Sequence, residues 1–287
     1  MRAAGRLPFA ADGELPTAEV AVHAARDGDL VATDDRLAVE EPLEIRLAAA
    51  QGPRTLTITM RTPGHDFELV AGFLLAEGVI DSRERLLDIA YCVADEEEPE
   101  QRFNIVTATL DGPPGRASIE RLVMTSSACG ICGSASIEAA VACGHPPLGS
   151  GPRYTLAELA AFPDRLRAGQ RTFSQTGGVH GIALLDGAGE VLCLREDVGR
   201  HNAVDKVVGW ALLDARLPLS ECALMVSGRV SFEIVQKAMR AGIAFVAAVS
   251  AATSLAVQLA EESGMTLVGF LRGGSCTVYT GRGRLVP

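Results

Sequence analysis

The sequence predicts an α/β protein, with an α+β N-terminal region followed by an α/β domain on a largely parallel or mixed sheet. Three observations predict this class. Strand-like runs alternate with helical runs of about 10–15 residues through the second half of the chain. Period-two alternation marks strands in the first half, at 43–47 and 55–60. A hydrophobic share of 48% and a charged share of 22% over 287 residues are ordinary for a globular chain with a sizeable core.

Composition and turn residues divide the chain into four parts. Residues 1–16 show no periodicity and are expected to be a disordered lead-in. Residues 17–115 form the N-terminal α+β region, which ends at a Gly/Pro-rich linker. Residues 116–150 form a loop that carries a cysteine motif. Residues 151–287 form the C-terminal α/β domain, which is expected to bind a cofactor.

The N-terminal region is predicted to hold several strands around one helix. A turn at Asp27-Gly28-Asp29 separates two extended runs, and Pro63-Gly64 breaks the chain before the helix. Apolar residues recur at i, i+3, i+4 and i+7 within 66–79, which predicts a core-facing helical stripe. Two more strands, at 86–93 and 103–110, flank an acidic run at 95–98 that is expected to be a solvated loop.

The C-terminal domain begins with a helical stretch over 156–167 and continues as alternating elements. The predicted strands are 181–185, 191–195, 223–226, 245–249, 266–271 and 276–280. The predicted helices are 202–214, 232–241 and 254–262. Residues 241–260 carry no charge, but the stretch is rich in alanine with polar interruptions, so a buried strand, a turn and a helix are expected in place of a membrane span.

The charge balance argues against a general nucleic-acid binder, since the net charge is −10. Residues 1–128 carry 12 basic and 23 acidic side chains, whereas residues 129–287 carry 14 and 13, so the C-terminal half could accept an anionic ligand. Only Lys206 and Lys237 are lysines, which leaves anion recognition to arginine. No secretory segment is visible near the start, and the seven cysteines are expected to be free thiols in a reducing cytoplasm.

Cys129-Gly130-Ile131-Cys132-Gly133 is the sharpest chemical signal. A thiol near a helix N-terminus has a stabilised thiolate, and flanking glycines let another molecule approach the sulfur. Disulfide exchange, metal ligation and sulfur relay through a persulfide all fit. With Cys143 and His145 the pair would form a Cys₃His zinc tetrad, so metal stays an open alternative. Three other cysteines are expected to be small core residues: Cys92, Cys193 and Cys222.

Three segments place small residues and arginine where strands end, a pattern typical of phosphate sites. Their candidate ligand-binding residues are Gly199, Arg200 and His201; Ser227, Gly228 and Arg229; and Phe270, Leu271, Arg272, Gly273, Gly274 and Ser275. The first two segments follow strands, where open α/β sheets bind ligands. Neither a Walker A motif nor a dinucleotide GxGxxG is present. His180 and His201 are the ionisable candidates, with a structural role as the default for each.

These motifs together resemble the formate dehydrogenase accessory sulfurtransferase family, FdhD. The matching segments are 63–80, 129–133, 176–180, 196–206, 227–231 and 269–280. The resemblance implies a cytoplasmic homodimer that takes sulfur from a cysteine desulfurase. It further implies delivery of that sulfur to the molybdenum cofactor, in its bis(guanine dinucleotide) form, for the catalytic subunit of formate dehydrogenase.

The resemblance also carries site and fold assignments. It implies that Cys129 carries the persulfide with Cys132 assisting, and that Phe270–Ser275 matches the cofactor-contacting loop, where a GDP-like nucleotide could mimic the cofactor. The C-terminal domain is expected to be similar to the cytidine deaminase fold without its zinc. Two hypotheses of other classes remain open: a zinc-stabilised adaptor that binds the partner enzyme without sulfur chemistry, and a dithiol oxidoreductase.

Overall fold

A computed structural model describes residues 15–50, 52–92, 103–115 and 148–286. The expected lead-in up to residue 14, the acidic run 95–98 and the cysteine motif lie outside these residues. The chain opens with an antiparallel hairpin of β1 (Thr17–Arg26) and β2 (Asp29–Ala38). Its turn is the predicted one: Asp27 and Gly28 both have positive φ, which suits a two-residue hairpin loop.

A four-stranded sheet follows, in the spatial order β4-β3-β6-β5. Its strands are β3 (Glu41–Leu47), β4 (Arg54–Arg61), β5 (Leu86–Tyr91) and β6 (Ile105–Leu110). The predicted helix is α1 (Asp66–Ala76), which begins after the break at Pro63-Gly64. Its buried stripe packs on the inner residues of β3 and β6, so the α+β prediction for this region is confirmed.

The C-terminal half is built on a six-stranded mixed sheet in the order β13-β12-β11-β10-β8-β9. Its strands are β8 (His180–Leu185), β9 (Val191–Asp197), β10 (Ala223–Val226), β11 (Phe245–Ala248), β12 (Thr266–Arg272) and β13 (Ser275–Thr280). Strands β10, β11 and β12 are mutually parallel, and the other neighbours pair antiparallel. A short parallel pair joins β7 (Tyr154–Thr155) to β14 (Leu285–Val286). The predicted α/β class with a mixed sheet is confirmed.

Helices cover both faces of this sheet. One face packs against α5 (Arg200–Leu213), α6 (Phe232–Arg240) and α7 (Ser254–Glu262), and the other against α2 (Leu156–Ala160) and α3 (Phe162–Gly169). Helix α4 (Arg171–Thr176) leads into β8. The single helical stretch expected over 156–167 is two helices, because Pro163 lacks the N–H that a continuous helix needs and instead lies in the first turn of α3.

Helix α1 of the first region crosses α5 of the second at unusually short range. A Cβ added at Gly72 would lie 1.9 Å from the Asp205 carbonyl oxygen, and one added at Gly209 would lie 1.8 Å from that of Glu68. Only glycine permits this approach. One continuous core therefore holds the inner face of the four-stranded sheet, both helices and one face of the larger sheet. The four-part division of the chain stays a prediction.

The uncharged stretch 241–260 contains β11, a turn and the start of α7, as expected. In the part of the chain that the structure describes, none of the helices combines the length and the apolar character that crossing a membrane requires.

Candidate functional site

The candidate ligand-binding segments meet along one edge of the six-stranded sheet. Strands β9 to β12 end there, and β8 begins there. Ser227 N–H donates to the Gly181 carbonyl (3.0 Å), Val230 N–H donates to that of Ala251 (3.0 Å), and Phe270 N–H donates to that of Ser250 (3.0 Å). These bonds link the Ser227 segment to β8 and, through residues 250–251, the Ser227 segment to Phe270. The candidate residues at this edge therefore lie up to 76 positions apart in the sequence.

The segment after β9 is anchored by Asp197, whose carboxylate is fully buried. Oδ1 accepts from the Gly199 N–H (2.8 Å), and Oδ2 accepts from the Thr62 N–H (3.2 Å) and lies 2.7 Å from Lys206 Nζ. Asp197 thus occupies the start of α5 as an internal anion. It holds Gly199 in place, and an external anion at this point would bind to the Arg200 guanidinium.

Arg200 lies beside His180 and Gly228. Its Nε is buried and has no hydrogen-bond partner among the described residues. A Cβ at Gly228 would be 3.1 Å from His180 Nδ1 and 3.9 Å from Arg200 Cδ, so glycine here keeps the three residues close. Burial, followed by the charge of Arg200, lowers the pKa of His180, which is therefore a neutral imidazole at pH 7.

His201, the next residue along α5, contacts other residues than those around Arg200. Its Nε2 lies 2.8 Å from the Ser231 hydroxyl, which donates to the Glu233 carboxylate (2.8 Å), so Nε2 is the donor. The hydrogen bonding and charge of His201 lower the pKa of Glu233 to about 2. His201 and Glu233 border a cavity of about 230 Å³, which β4 lines from the other side. Glu233 went unnoticed in the sequence, where an acidic residue in the first turn of a helix is ordinary.

The third segment is the β12–β13 hairpin. Its two-residue turn is Gly273-Gly274, both with positive φ, and the Ser275 hydroxyl donates to the Arg272 carbonyl (3.0 Å). Leu271 is 2% exposed and packs in the core, so its side chain is not available to a ligand. Phe270 has a positive φ of 51° and is 40% exposed, and Arg272 is exposed, so a ring and a guanidinium face solvent together.

The segment after β10 contains both half-buried residues, such as Ser227, and exposed ones, such as Arg229. Ser227 Oγ accepts from the Gly181 N–H (3.0 Å), which leaves the hydroxyl proton free for a ligand, and the side chain of Arg229 is exposed. A cavity of about 530 Å³ opens beside Ser227 and His180. It is lined by α3, by Phe173 of α4 and by residues 177–180, which belong to the 176–180 segment that matches the family; α3 is the part that the sequence analysis did not single out.

Of the cysteines, Cys193 and Cys222 are buried in the core as predicted, whereas Cys92 is half-buried. Burial raises the pKa of Cys193 to about 12 and that of Cys222 to about 11, so both are protonated at neutral pH. Cys129 and Cys132 lie outside the described residues, as do Cys143 and His145. The described residues include no cluster of metal-ligating side chains, and the zinc tetrad stays a prediction.

Comparison with known proteins places the chain in a family. Residues 38–286 match the FdhD/NarQ family. The sulfur carrier protein FdhD of Streptomyces coelicolor is 51% identical over 91% of this chain and 92% of its own length, and that of Saccharolobus solfataricus is 42% identical over 89% and 93%. A solved structure assigned to a formate dehydrogenase accessory protein of Desulfotalea psychrophila superposes with a TM-score of 0.73 at 27% identity, covering 94% of this chain and 99% of that one. The chain belongs to the FdhD/NarQ family.

Proposed function

We propose that this protein is a sulfur carrier that serves formate dehydrogenase. It takes sulfur from a cysteine desulfurase as a persulfide on Cys129 and delivers it to the molybdenum cofactor in its bis(guanine dinucleotide) form. The observation that carries the proposal is the identity of about half over nine-tenths of the chain with proteins named sulfur carriers. The thiols of Cys129 and Cys132 can supply the persulfide chemistry that a sulfur carrier needs.

Loading is a thiol exchange. The Cys129 thiolate attacks the outer sulfur of the desulfurase persulfide, a new S–S bond forms on Cys129, and the desulfurase cysteine leaves as a thiolate. The described cysteines support the choice of Cys129, because burial keeps the thiols of Cys193 and Cys222 protonated and out of reach. Burial also raises the pKa of Cys276.

Delivery as sulfide needs two electrons, which Cys132 can provide. Its thiolate attacks the inner sulfur of the Cys129 persulfide, the bond to the outer sulfur breaks, and HS⁻ leaves toward the cofactor as a Cys129–Cys132 disulfide forms. A dithiol reductant then restores both thiols. Delivery without added reductant therefore requires Cys132, whereas dithiothreitol should restore delivery to Cys132→Ala.

The sheet edge supports binding of the cofactor's nucleotide arms. Arg200, Arg229 and Arg272 are suited to bidentate contacts with phosphate, and Phe270 offers an exposed ring for stacking. We expect Arg272→Ala to weaken GDP binding several-fold at low salt, with a smaller effect as ionic strength rises. Unchanged affinity in a titration would remove the hairpin from the site.

The remaining parts of the proposal come from the family resemblance. The protein works in the cytoplasm as a homodimer, and its partners are the desulfurase and the catalytic subunit of formate dehydrogenase. Its C-terminal domain is taken to be a zinc-free relative of the cytidine deaminase fold.

Intact mass after incubation with a cysteine desulfurase and cysteine tests the carrier role. The wild type and the matched control Cys276→Ala should gain at least one sulfur atom that reductant removes, and Cys129→Ala should gain none. If the wild type gains no sulfur but holds zinc that is lost when Cys143 and His145 are both replaced, the zinc-stabilised adaptor is the better account.

A further inference from the structure

The β1–β2 hairpin has no covering layer among the described residues. None of the residues in its two ten-residue strands is buried, and nine of the ten residues of β2 are exposed. A two-stranded hairpin on its own is at best marginally stable in water. A hairpin of this length is therefore expected to gain stability from a surface that covers it.

One face of the hairpin is mainly apolar. Residues directly opposite in the register share a face, and successive pairs alternate between the two faces. Asp35 is a charged residue on this face, whose apolar members are Ala18, Val20, Val22, Ala24, Val31 and Leu37. Val20, Val31 and Leu37 are 36%, 46% and 44% exposed. One face of two ten-residue strands covers about 300 Å², a size at which exposed apolar patches mark interaction sites.

The charge of the hairpin indicates the kind of surface that fits it. Residues 17–38 carry five acidic and two basic side chains, a net charge of −3. Asp34 and Asp35 are exposed, and Arg36 is paired with Glu19 at 2.8 Å. A second copy of this chain carries the same acidic hairpin and a net charge of −10, so like charges would oppose its approach. The hairpin is therefore complementary to an apolar surface with a basic rim.

The base of the hairpin lies close to the strand ends of the six-stranded sheet. Arg36 Nη1 donates to Gln175 Oε1 of α4 (2.9 Å), and a Cβ at Gly178 would lie 3.4 Å from Ala38 Cβ. Gly178 leads into β8, which begins at that edge with His180. A protein that takes over a ligand held at this edge therefore approaches the hairpin as well.

We propose that the β1–β2 hairpin is a docking arm for the catalytic subunit of formate dehydrogenase, which binds it through an apolar surface with a basic rim. The inference rests on the proposed function, in which that subunit receives the cofactor. Contact with both faces of the hairpin covers about 600 Å², and the neighbouring strand ends would supply the rest of the roughly 800 Å² per partner of a specific interface.

The affinity of the full chain for the purified catalytic subunit, free of its cofactor, tests this docking arm. Val31→Asp and Leu37→Asp place a charge on the apolar face and should each weaken binding about tenfold or more. The matched control is Leu87→Asp on β5, where the leucine is 61% exposed outside the hairpin, and it should bind as the wild type does. The double variant Asp34→Asn/Asp35→Asn should bind less tightly at low salt and depend less on ionic strength.

Folding and oligomeric state are checked in the same variants. Because the replaced side chains are exposed, the melting temperature should not fall; if it does, Asp34→Asn/Asp35→Asn carries the test. The mass in sedimentation should equal that of the wild type. A lower mass in Val31→Asp and Leu37→Asp would show that a second copy covers the hairpin, and this would overturn the inference.

Three other results would overturn it: wild-type affinity in both hairpin variants, loss of binding to the desulfurase in place of the catalytic subunit, and failure of the wild type to bind that subunit. Sulfur loading on Cys129, measured separately by mass, should be the same in all variants. Loading without docking would refute the docking arm alone, whereas absence of loading in the wild type would refute the carrier role.

Discussion

Replacing Lys206 with methionine tests how the candidate site is attached to the rest of the protein. Lys206 Nζ lies 2.7 Å from Asp197 Oδ2, and both side chains are 0% exposed. The same ammonium donates to the Thr62 carbonyl at 2.8 Å, which joins α5 to the residue that follows β4. Methionine has a similar volume but no charge, so Asp197 would be left as a buried carboxylate without its cation.

Removing one partner of a buried ion pair costs about 3–5 kcal/mol. Asp197 would keep hydrogen bonds from Thr62 N–H, Gly199 N–H and Asn202 Nδ2, so the lower end is expected. A loss of about 3 kcal/mol is a large part of the roughly 5–15 kcal/mol that stabilises a native protein. It corresponds to a fall in melting temperature of roughly 6–12 °C, at about 2–4 °C per kcal/mol for a protein of about this size.

Urea and thermal unfolding of the wild type, Lys206→Met and the double variant Asp197→Asn/Lys206→Met measure this. The double variant should recover part of the loss, because it no longer holds an unpaired charge. Arg36→Met is the control: its pair with Glu19 has side chains 46% and 70% exposed, so at most about 1 kcal/mol is expected. A loss below about 1 kcal/mol in Lys206→Met, or a double variant that is less stable than Lys206→Met, would refute the reasoning.

Three further predictions concern packing, pH and thiol reactivity. Gly209→Ala should destabilise the fold by several kcal/mol, since its methyl would overlap the Glu68 carbonyl and force α1 and α5 apart; melting temperature measures this. The depressed pKa of Glu233 contributes stability above about pH 4.3, which is lost as pH falls toward 2, so the gap in unfolding free energy between the wild type and Glu233→Gln should shrink across that range. Cys193 and Cys222 should resist alkylation in the native protein at pH 7.5, as peptide mapping would show.

Each has a control. Gly283→Ala has open space around the new methyl and should leave the melting temperature unchanged. A constant gap between the wild type and Glu233→Gln from pH 7 to pH 3 would show that the His201 contact does not depress this carboxyl. Labelling of Cys193 as fast in native as in urea-unfolded protein would contradict its burial.

The alternation of strands and helices in the C-terminal half was predictable because turn-forming residues in the sequence mark where each strand and helix ends. The predicted β10 at 223–226 and α7 at 254–262 have the bounds that the structure gives them. Apolar runs of four to eight residues between turn signals indicate buried strands, and longer periodic runs indicate helices. Helix α4 was missed because its six residues are too few to show a period.

What the sequence could not show is pairing between distant residues. Arginine is almost never fully buried without partners, so Arg61 would be expected at the surface. In the structure it is fully buried, because its guanidinium bonds Asp66, Glu41 and Asn104. Gly209 within α5 resembles a weak point of the helix until the contact with α1 is known. The close packing of the Gln170 amide against Gly181 likewise becomes visible only in the folded chain.

The two lysines explain why the sheet edge is left to arginine. Lys206 and Lys237 are paired with Asp197 and Asp205, and both pairs are buried, so neither ammonium is available to a ligand. An ammonium on a compact stem suits an internal pair, whereas the planar guanidinium of arginine is suited to two parallel hydrogen bonds with a phosphate. Within the described residues, both lysines thus serve internal pairs, whereas arginines serve internal pairs, as Arg61 does, and the strand ends as well. The lysines hold α5 and α6 in place, and arginines stand at the strand ends where the nucleotide arms of the cofactor are proposed to bind.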